Sequence, residues 1–509
     1  MILSRTPFPR WLTVVVLGPL LALVPSSASA ETLTAEQAVA RAAKDNPSLR
    51  AALLDVSAAK YAVDAEEGSR DPTFVASVQG QYNESLNAGS TTVSRGDSEA
   101  LSGSAAVKYT TDIGTDLEVG VESDINWRNG LGTGGTTGST VTGSVGPVYG
   151  TSAYVSARQP LLRGAGTDAQ LASIELARDS QTSAEKSRDS AASQNALDVL
   201  TAYWELWYAK RATKVQEDAL AVAKKQLDDA KIKAEQIGTG SRFDVLSFAQ
   251  SAASIQDSLS QARATERTRA IALGQLLGMP PEQALGLEPA GDPPDLSGSI
   301  PADKLKAAFL ERSPELAALR SDIEAAETRV ASAKNADKPK LDAFATVSMG
   351  LLWQNDDLPG LSLPGSRPAF SVLGGLDLEL PLGDGRTTGD LARARAQLEA
   401  AKARYQAKVD AIAADVGSLQ VGLDAANDQV ALSAESAKIS EDLADAERQR
   451  FLIGTNASTD VVKAEQTARE AQLRQLRAVV DRVTNRFQLE NAAGTLLDRF
   501  GGVVGGKSS

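Results

Sequence analysis

The stretch Leu398–Val430, LEAAKARYQAKVDAIAADVGSLQVGLDAANDQV, carries two interleaved seven-residue series of apolar side chains. One is Leu398, Tyr405, Ile412 and Leu419; the other is Val409, Val416, Leu423 and Val430. Spacings that alternate between three and four residues make the a/d seam of a coiled coil. Working outward, no proline occurs from Thr388 to Ile453, and only Gly389, Gly417 and Gly422 weaken the helix. Such a helix is ~100 Å long. It cannot bury its stripe inside one globular domain, so it must run beside other long helices. The stretch from about Thr167 to Ile237 predicts a partner of ~105 Å.

At the start of the chain, Arg5 and Arg10 flank or precede an apolar core from Trp11 to Val24, and Ala28-Ser29-Ala30 supplies a small-residue cleavage site. That pattern predicts an export signal over 1–30, with a mature start at Glu31. Beyond it no apolar run reaches the ~20 residues a spanning helix needs, which leaves a β-barrel or a surface as routes to a membrane. The chain has no cysteine and no histidine. The first absence excludes disulfides, thiol chemistry and a lipid-carrying cysteine; the second removes the commonest general base and transition-metal ligand. A net charge of −13 argues against nucleic acid as a partner.

Thr34 to Val63 reads as helix, with Thr34 and Gln37 spaced for a capping box and Asn46-Pro47 as punctuation. Gly- and Ser-rich chain with two-residue alternation follows. Leu117, Val119, Val121 and Ile125 alternate with Asp116, Glu118, Glu122 and Asp124. Val107, Tyr109 and Ile113 alternate with Lys108, Thr110 and Asp112. Phe74–Tyr82 and Ala153–Ala157 do the same more weakly. Period two with one charged face predicts strands between an apolar and a wet environment. Pro160 closes this region and the first long helix follows. It breaks at Ile237-Gly238-Thr239-Gly240-Ser241, Arg242 to Leu277 runs back, and a Pro-rich connector leads to Pro301.

The pattern then starts again. Ser313-Pro314 stands where Asn46-Pro47 stood, Leu341 to Leu351 and Leu376 to Leu380 alternate, and Pro381 takes the place of Pro160. The second long helix breaks at Ile453-Gly454-Thr455 and Thr459 to Phe500 returns. This is a tandem duplication. The first repeat covers 31–290, with strands about 73–159 and a helix pair about 167–277. The second covers 291–501, with strands about 341–381 and a helix pair about 388–500; 502–509 reads as a flexible tail. Proline spacing puts a surplus in the first repeat's strand region, including a hairpin at 104–126. Its turn, 112–116, is short, while 83–103 and 127–148 read as long Gly-, Ser- and Thr-rich loops, an arrangement used by outer-membrane barrels.

Four to six strands per chain cannot close a barrel around a lumen, and lipid does not tolerate open edges. In a soluble sheet the apolar face would meet a core; if these strands are in a membrane, several chains must complete one barrel, a symmetric oligomer with an axial pore. At this point the chain resembles the TolC-like outer-membrane efflux protein family over nearly its whole mature length. The resemblance rests on Asn46-Pro47, Pro160 and Pro381, the paired Gly-Thr…Asp-Val breaks, and Tyr203-Trp204-Glu205-Leu206-Trp207. It implies a fold that is mainly α with β: tandem-repeat coiled-coil helices and amphipathic strands forming a trimeric transmembrane β-barrel with a periplasmic α-helical tunnel. The implied barrel has twelve strands, four per chain, and the extra hairpin departs from that; it fits a lumenal or extracellular placement, or a wider barrel. The implied role is the outer-membrane exit duct of a tripartite efflux pump or type I secretion system. Implied partners are a periplasmic adaptor (membrane fusion) protein, an inner-membrane transporter and outer-membrane lipid.

Ile237 to Leu246 aligns with Ile453 to Val462, so the two breaks form a periplasmic tip. Ser241 and Ser458 are candidate N-caps with an acid close behind, and turn chemistry alone is the competing reading of these residues. By resemblance, Gly238, Thr239, Arg242, Gly454, Thr455 and Asn456 are adaptor contacts. Asp460, with Asp244 as its counterpart, matches an acidic ring that narrows the tunnel mouth; where the family often has a second acid, this chain has Lys463. Trp127 and Trp353 fall near strand ends, as interfacial aromatics do. Tyr203, Trp204 and Trp207 read as helix packing. No catalytic constellation, cofactor site or metal site is legible, which favours a passive conduit over an enzyme. A structural coiled-coil envelope protein without a pore is the alternative, and the amphipathic strands argue against it.

Overall fold

The computed structural model describes residues 31–88, 93–133, 140–237, 241–296, 298, 301–354, 369–380, 382–383 and 385–500. The expected signal segment 1–30 and tail 502–509 lie outside these. In the first half, β1 (Glu31–Leu33), α1 (Ala35–Asp45) and α2 (Pro47–Gly68) lead into β2 (Thr73–Ala88), β3 (Val93–Thr110), β4 (Asp116–Thr133) and β5 (Thr140–Pro160). A short α3 (Thr167–Gln170) precedes α4 (Ala172–Ile232), which ends in a π turn at Lys233–Ile237; α5 (Arg242–Leu276) returns. After α6 (Pro281–Ala284) and β6 (Leu287–Pro289), the second half has α7 (Ala302–Arg312), α8 (Pro314–Ala336), β7 (Lys340–Gln354) and β8 (Ala369–Glu379). It ends with α9 (Gly385–Leu452), α10 (Ser458–Ala492) and α11 (Leu496–Arg499). The chain is thus mainly helical, with one large antiparallel sheet.

That sheet has six strands in the order β2-β3-β4-β5-β7-β8. The hairpin at 104–126 lies inside it as part of β3 and β4, paired on both sides, so the four strands implied by resemblance are replaced by six. The expected loops 83–103 and 127–148 are largely strand as well. Backbone ladders need no particular side chain, and composition hid them. The alternation read through Ile113 overshoots: β3 stops at Thr110, and Gly114 turns the chain at φ 90°. An added Cβ at Gly114 would meet the Gly164 carbonyl at 2.8 Å.

Next to the sheet, α2, α4, α8 and α9 pack in sequence as a single layer. Further along, α4 pairs with α5 and α9 with α10. The seven-residue seam is buried as its period requires: Ile412, Val416 and Leu423 pack against Leu305, Phe309, Leu316 and Leu489. Thr34 and Gln37 form the capping box on α1. Asn46 ends α1 and starts α2: its Oδ1 accepts from Ser48 N at 2.8 Å, and its Nδ2 donates to Leu276 O at 2.8 Å. Ser313 caps α8 in the same position.

The aromatic segment of α4 forms the middle of the largest core, with Leu200, Leu206, Leu277, Leu287 and Phe487 around it. Each such buried apolar side chain contributes about 1.5–3 kcal/mol. The Tyr203 hydroxyl lies 2.7 Å from Ala290 O and 2.9 Å from Leu33 O, and Trp207 Nε1 donates to Gly291 O at 3.0 Å. These bonds clip the parallel β1–β6 pair onto α4. Two return-helix glycines close each half in the same way. Gly278 (φ 68°) would place a Cβ 2.5 Å from Asp45 O, and Gly494 (φ 67°) 2.9 Å from Arg312 O.

Gly278→Ala and Gly494→Ala should each cost ~1–3 kcal/mol, since both a left-handed conformation and a close approach are lost. Thermal melts of the purified protein measure this, and an unchanged midpoint would refute the packing account. Burial pushes the Tyr203 phenol up to about 12. The protonated form is the folded one, so this contribution is intact below pH 10 and lost as pH rises through 10 to 12. Tyr203→Phe should cost about 1–3 kcal/mol at neutral pH by leaving buried carbonyls without a donor, and should flatten the alkaline loss.

Candidate functional site

The helix breaks lie at the ends of α4 and α9 away from the sheet, and their geometry follows from local capping. At the second break Gly454 adopts φ 77°. Gly454 N donates to Phe451 O and Thr455 N to Arg450 O, both at 3.0 Å, which is a Schellman ending. The Thr455 hydroxyl adds a third bond to Arg450 O. Asn456 bonds Glu447 through Nδ2 and accepts from Ala457 N at 2.9 Å. Gly454 and Thr455 are exposed, while Asn456 is half-buried.

Ser241 caps α5, accepting from Phe243 N at 3.1 Å. The parallel reading of Ser458 is corrected: Ala457 occupies the cap, and Ser458 is a fully buried first helical residue whose hydroxyl has no partner. Arg242 and Asp460 are exposed and Asp244 is half-buried, all in the first turns of α5 and α10. Lys463 is exposed and forms no ion pair with Asp460. Gly238 and Thr239 lie outside the described residues.

The two breaks pack on each other. Phe248 meets Phe451 edge to face at 5.5 Å between centroids, with Val461 and Ala230 buried beside them. Lys233 Nζ sits 5.7 Å from the Phe451 ring centre. One turn further in, Glu465 Oε1 accepts from Gln226 Nε2 at 2.6 Å and from Arg448 Nη2 at 3.0 Å, tying α10 to α4 and α9. The sequence reading missed this latch. It also missed Leu452, Ile453, Phe243 and Leu246, large apolar side chains left exposed around the breaks. At a helix end such residues read as continuation of the seam, which concealed them.

The sheet's two faces differ sharply. One transverse row runs Phe74–Val107–Val119–Val155–Val347–Val372 across all six strands, and every member is 41–69% exposed. The neighbouring row holds Ala76, Ala105, Val121, Ala153, Met349 and Phe370. At one end of this face come Tyr82, Glu99 and Trp127 in register, while Trp353 pairs with Tyr149 through the backbone. The opposite face is polar. Lys108 pairs with Glu118 at 3.5 Å, and Tyr154 OH donates to Glu118 at 2.8 Å across Gly120. Arg158 bridges Asp342 and Asp377 at 3.1 and 3.0 Å, and Glu122 and Asp124 share this side.

Residues 306–495 match the family model described as outer membrane efflux protein. The chain is 24% identical over 304 residues to the outer membrane efflux protein BepC of Brucella suis biovar 1 (strain 1330). That match covers 60% of this chain and 64% of the relative, so it spans just under two thirds of BepC's length. Among solved structures, a membrane protein from Pseudomonas aeruginosa superposes with a TM-score of 0.66 at 18% identity, covering 90% of this chain and 93% of that one. The Campylobacter jejuni CmeC outer membrane channel gives 0.65 at 15% identity, covering 97% and 94%. The fold is that of the TolC-like channels, and the resemblance read from the sequence is borne out.

Replacing Glu465 by Ala should release both α4 and α9 from α10 near the breaks, at a cost of ~1–3 kcal/mol. Hydrogen exchange is expected to quicken in 445–465 while the Tyr203 core stays protected. Uniform protection across the chain would contradict the latch.

Proposed function

We propose that this chain, which has the TolC-like fold and carries the outer-membrane efflux signature in its second half, is one subunit of a homotrimeric outer-membrane channel. In this reading the sheet sits in outer-membrane lipid and the helices extend through the periplasm. The channel is the passive exit duct of a tripartite efflux pump or type I secretion system, and the energy comes from an inner-membrane transporter. The observation that carries it is the exposed apolar row across six strands with charge on the other face. In water such a surface is costly; against lipid it is stabilising, and the charged face then lines water.

The open edges support a ring. The sheet ends in β2 and β8, and the helical layer beside it ends in α2 and α9, so each edge of the sheet continues into an edge of the helices. Lipid does not tolerate unpaired strands, and head-to-tail contacts between copies pair β2 of one with β8 of the next. Val421, Leu432, Ile439 and Leu443 form an exposed stripe on α9 that suits a second coiled-coil seam against the neighbouring copy.

At the tip, a periplasmic adaptor docks on Gly238, Thr239, Arg242, Gly454, Thr455 and Asn456. The exposed Leu452, Ile453, Phe243 and Leu246 supply apolar area that a partner covers. Copies of Asp460, with Asp244 nearby in each chain, form an acidic ring at the mouth that favours cations. Tyr82 and Trp127 mark one membrane interface.

Photo-crosslinkers at Thr239 and Asn456 in living cells should capture a periplasmic adaptor, identified by mass spectrometry, and Ile453→Ser should weaken that capture. Capture of the chain's own copies alone would overturn the docking assignment. Separately, Asp460→Asn in planar bilayers should lower cation-over-anion selectivity several-fold; unchanged selectivity would remove the acidic ring.

A further inference from the structure

We infer that every copy contributes all six strands to the membrane wall, so that three copies build an eighteen-stranded barrel as wide as the helical tunnel beneath it. The inference rests on the trimeric channel proposed above and concerns the hairpin that the sequence left unplaced. Three independent features put β3 and β4 in the wall.

The first is pairing. β2 has its ladder to β3, and β4 to β5, over nearly the full length of each strand. A hairpin folded into the lumen would break both ladders and require β2 to pair with β5 directly. The second is facing. Val107, Val119 and Val121 lie in the same apolar rows as Phe74, Val155, Val347 and Met349, while Lys108, Glu118, Glu122 and Asp124 lie on the charged side. A hairpin standing in water would have no use for an apolar face continuous with its neighbours.

The third is anchoring. The hairpin's turn is tied to the junction between sheet and helices. Gly166 N donates to Ile113 O at 3.3 Å, and Gln159 Nε2 to the same carbonyl at 3.3 Å. Arg70, just past the end of α2, bonds both Asp112 at 3.2 Å and Gln170 O at 2.9 Å. The turn is therefore held at the same level as the ends of β5 and α2.

Widths agree with this. Six strands ~4.8 Å apart and tilted ~40° occupy roughly 38 Å of circumference. The four helices α2, α4, α8 and α9, at 8–10 Å between axes, occupy roughly 32–40 Å. Four strands would fill only ~25 Å at the same tilt. Six strands thus meet four helices without a step in radius. The barrel backbone is then ~36 Å across, against ~24 Å for twelve strands, so the outer membrane does not narrow the passage. Glu118 is offset by Lys108, and Glu122 and Asp124 of β4 add negative charge to the charged side.

The native chain has no cysteine, which makes single-cysteine labelling clean. Val119→Cys, Val121→Cys, Glu122→Cys and, as reference, Val347→Cys would be reconstituted in liposomes of brominated and plain phosphatidylcholine. Fluorophores at 119, 121 and 347 should be quenched by brominated lipid and shielded from a charged maleimide, while position 122 reacts freely. If 347 is quenched and 119 and 121 are not, the hairpin stands outside the wall and this inference falls while the channel reading survives. If 347 is not quenched either, the channel reading itself falls. Native mass spectrometry of the same samples counts the copies; any number other than three overturns the eighteen. Cryo-electron microscopy of the unmodified chain in nanodiscs supplies a check independent of mutants, with eighteen strands expected and twelve fatal.

Discussion

Everything in this molecule answers to the cost of leaving a backbone hydrogen-bonding group unpaired where water cannot reach it. In the proposed channel the sheet's apolar face meets lipid, and in lipid its two edges would have to be closed. The chain offers such a face as a row of exposed valines and phenylalanine from β2 to β8, and in that proposal the edges close only against other copies. The rest follows from making the helices serve the same closure. Because β2 follows α2 and β8 precedes α9, the edge of one layer is covalently continuous with the edge of the other. A contact that closes the sheet brings the helical edges together too.

Holding such an elongated body straight needs fixed points. The core around Tyr203 is one, where a single hydroxyl and a single indole nitrogen clip the β1–β6 pair onto α4. The glycines after α5 and α10 are another. Each lets the end of a return helix touch the end of α1 or α7 more closely than any side chain allows. Asn46 extends the same joint by capping one helix while donating to the last carbonyl of another, Leu276 O. Burial, not length, is what makes these points firm.

Much of this was legible in the sequence, and the failures are instructive. The seven-residue period of Leu398 to Val430 located α9 to within a few residues, because a seam that must stay on one side leaves a periodic record. The Thr34–Gln37 capping box was equally plain, while Asn46-Pro47 and Ser313-Pro314 read only as punctuation and their capping bonds needed the structure. Strand extent was not legible. In 83–88, 93–103, 127–133 and 140–148, glycine and serine read as loop although the backbone is strand, and ladder bonds leave no mark on side-chain choice. Pairing partners are invisible for the same reason, so the place of the hairpin needed the structure. At the tip, alignment located the breaks but misjudged Ser458, because the cap was decided by one residue of register. The latch at Glu465 left no signal at all: an acid beside arginines on a helix looks like any solvated face.

The distribution of contacts along the long axis is uneven, and it bears on where the molecule can move. At the sheet–helix junction, Arg70, Arg158 and Arg163 pair with Asp112, Asp342, Asp377 and Glu379 across elements distant in sequence, and Lys340 pairs with Asp342 on its own strand. Each exposed pair alone contributes ~0–1 kcal/mol. Arg158 and Lys340 share Asp342, however, and Arg158 also reaches Asp377, so these four hold β5, β7 and β8 in register. At the opposite end, among the described residues, the core is smaller: the Phe248–Phe451 pair with Ala230 and Val461 beside it, Lys233 over the Phe451 ring, the Glu465 latch and the capped turn at Gly454. Local opening favours the end with least buried area and fewest shared bonds. If the chain is the channel proposed above, a wall fixed at the sheet and held by a smaller set of contacts at the far end would change its aperture there without disturbing the sheet, and docking at that end would exchange the fewest contacts.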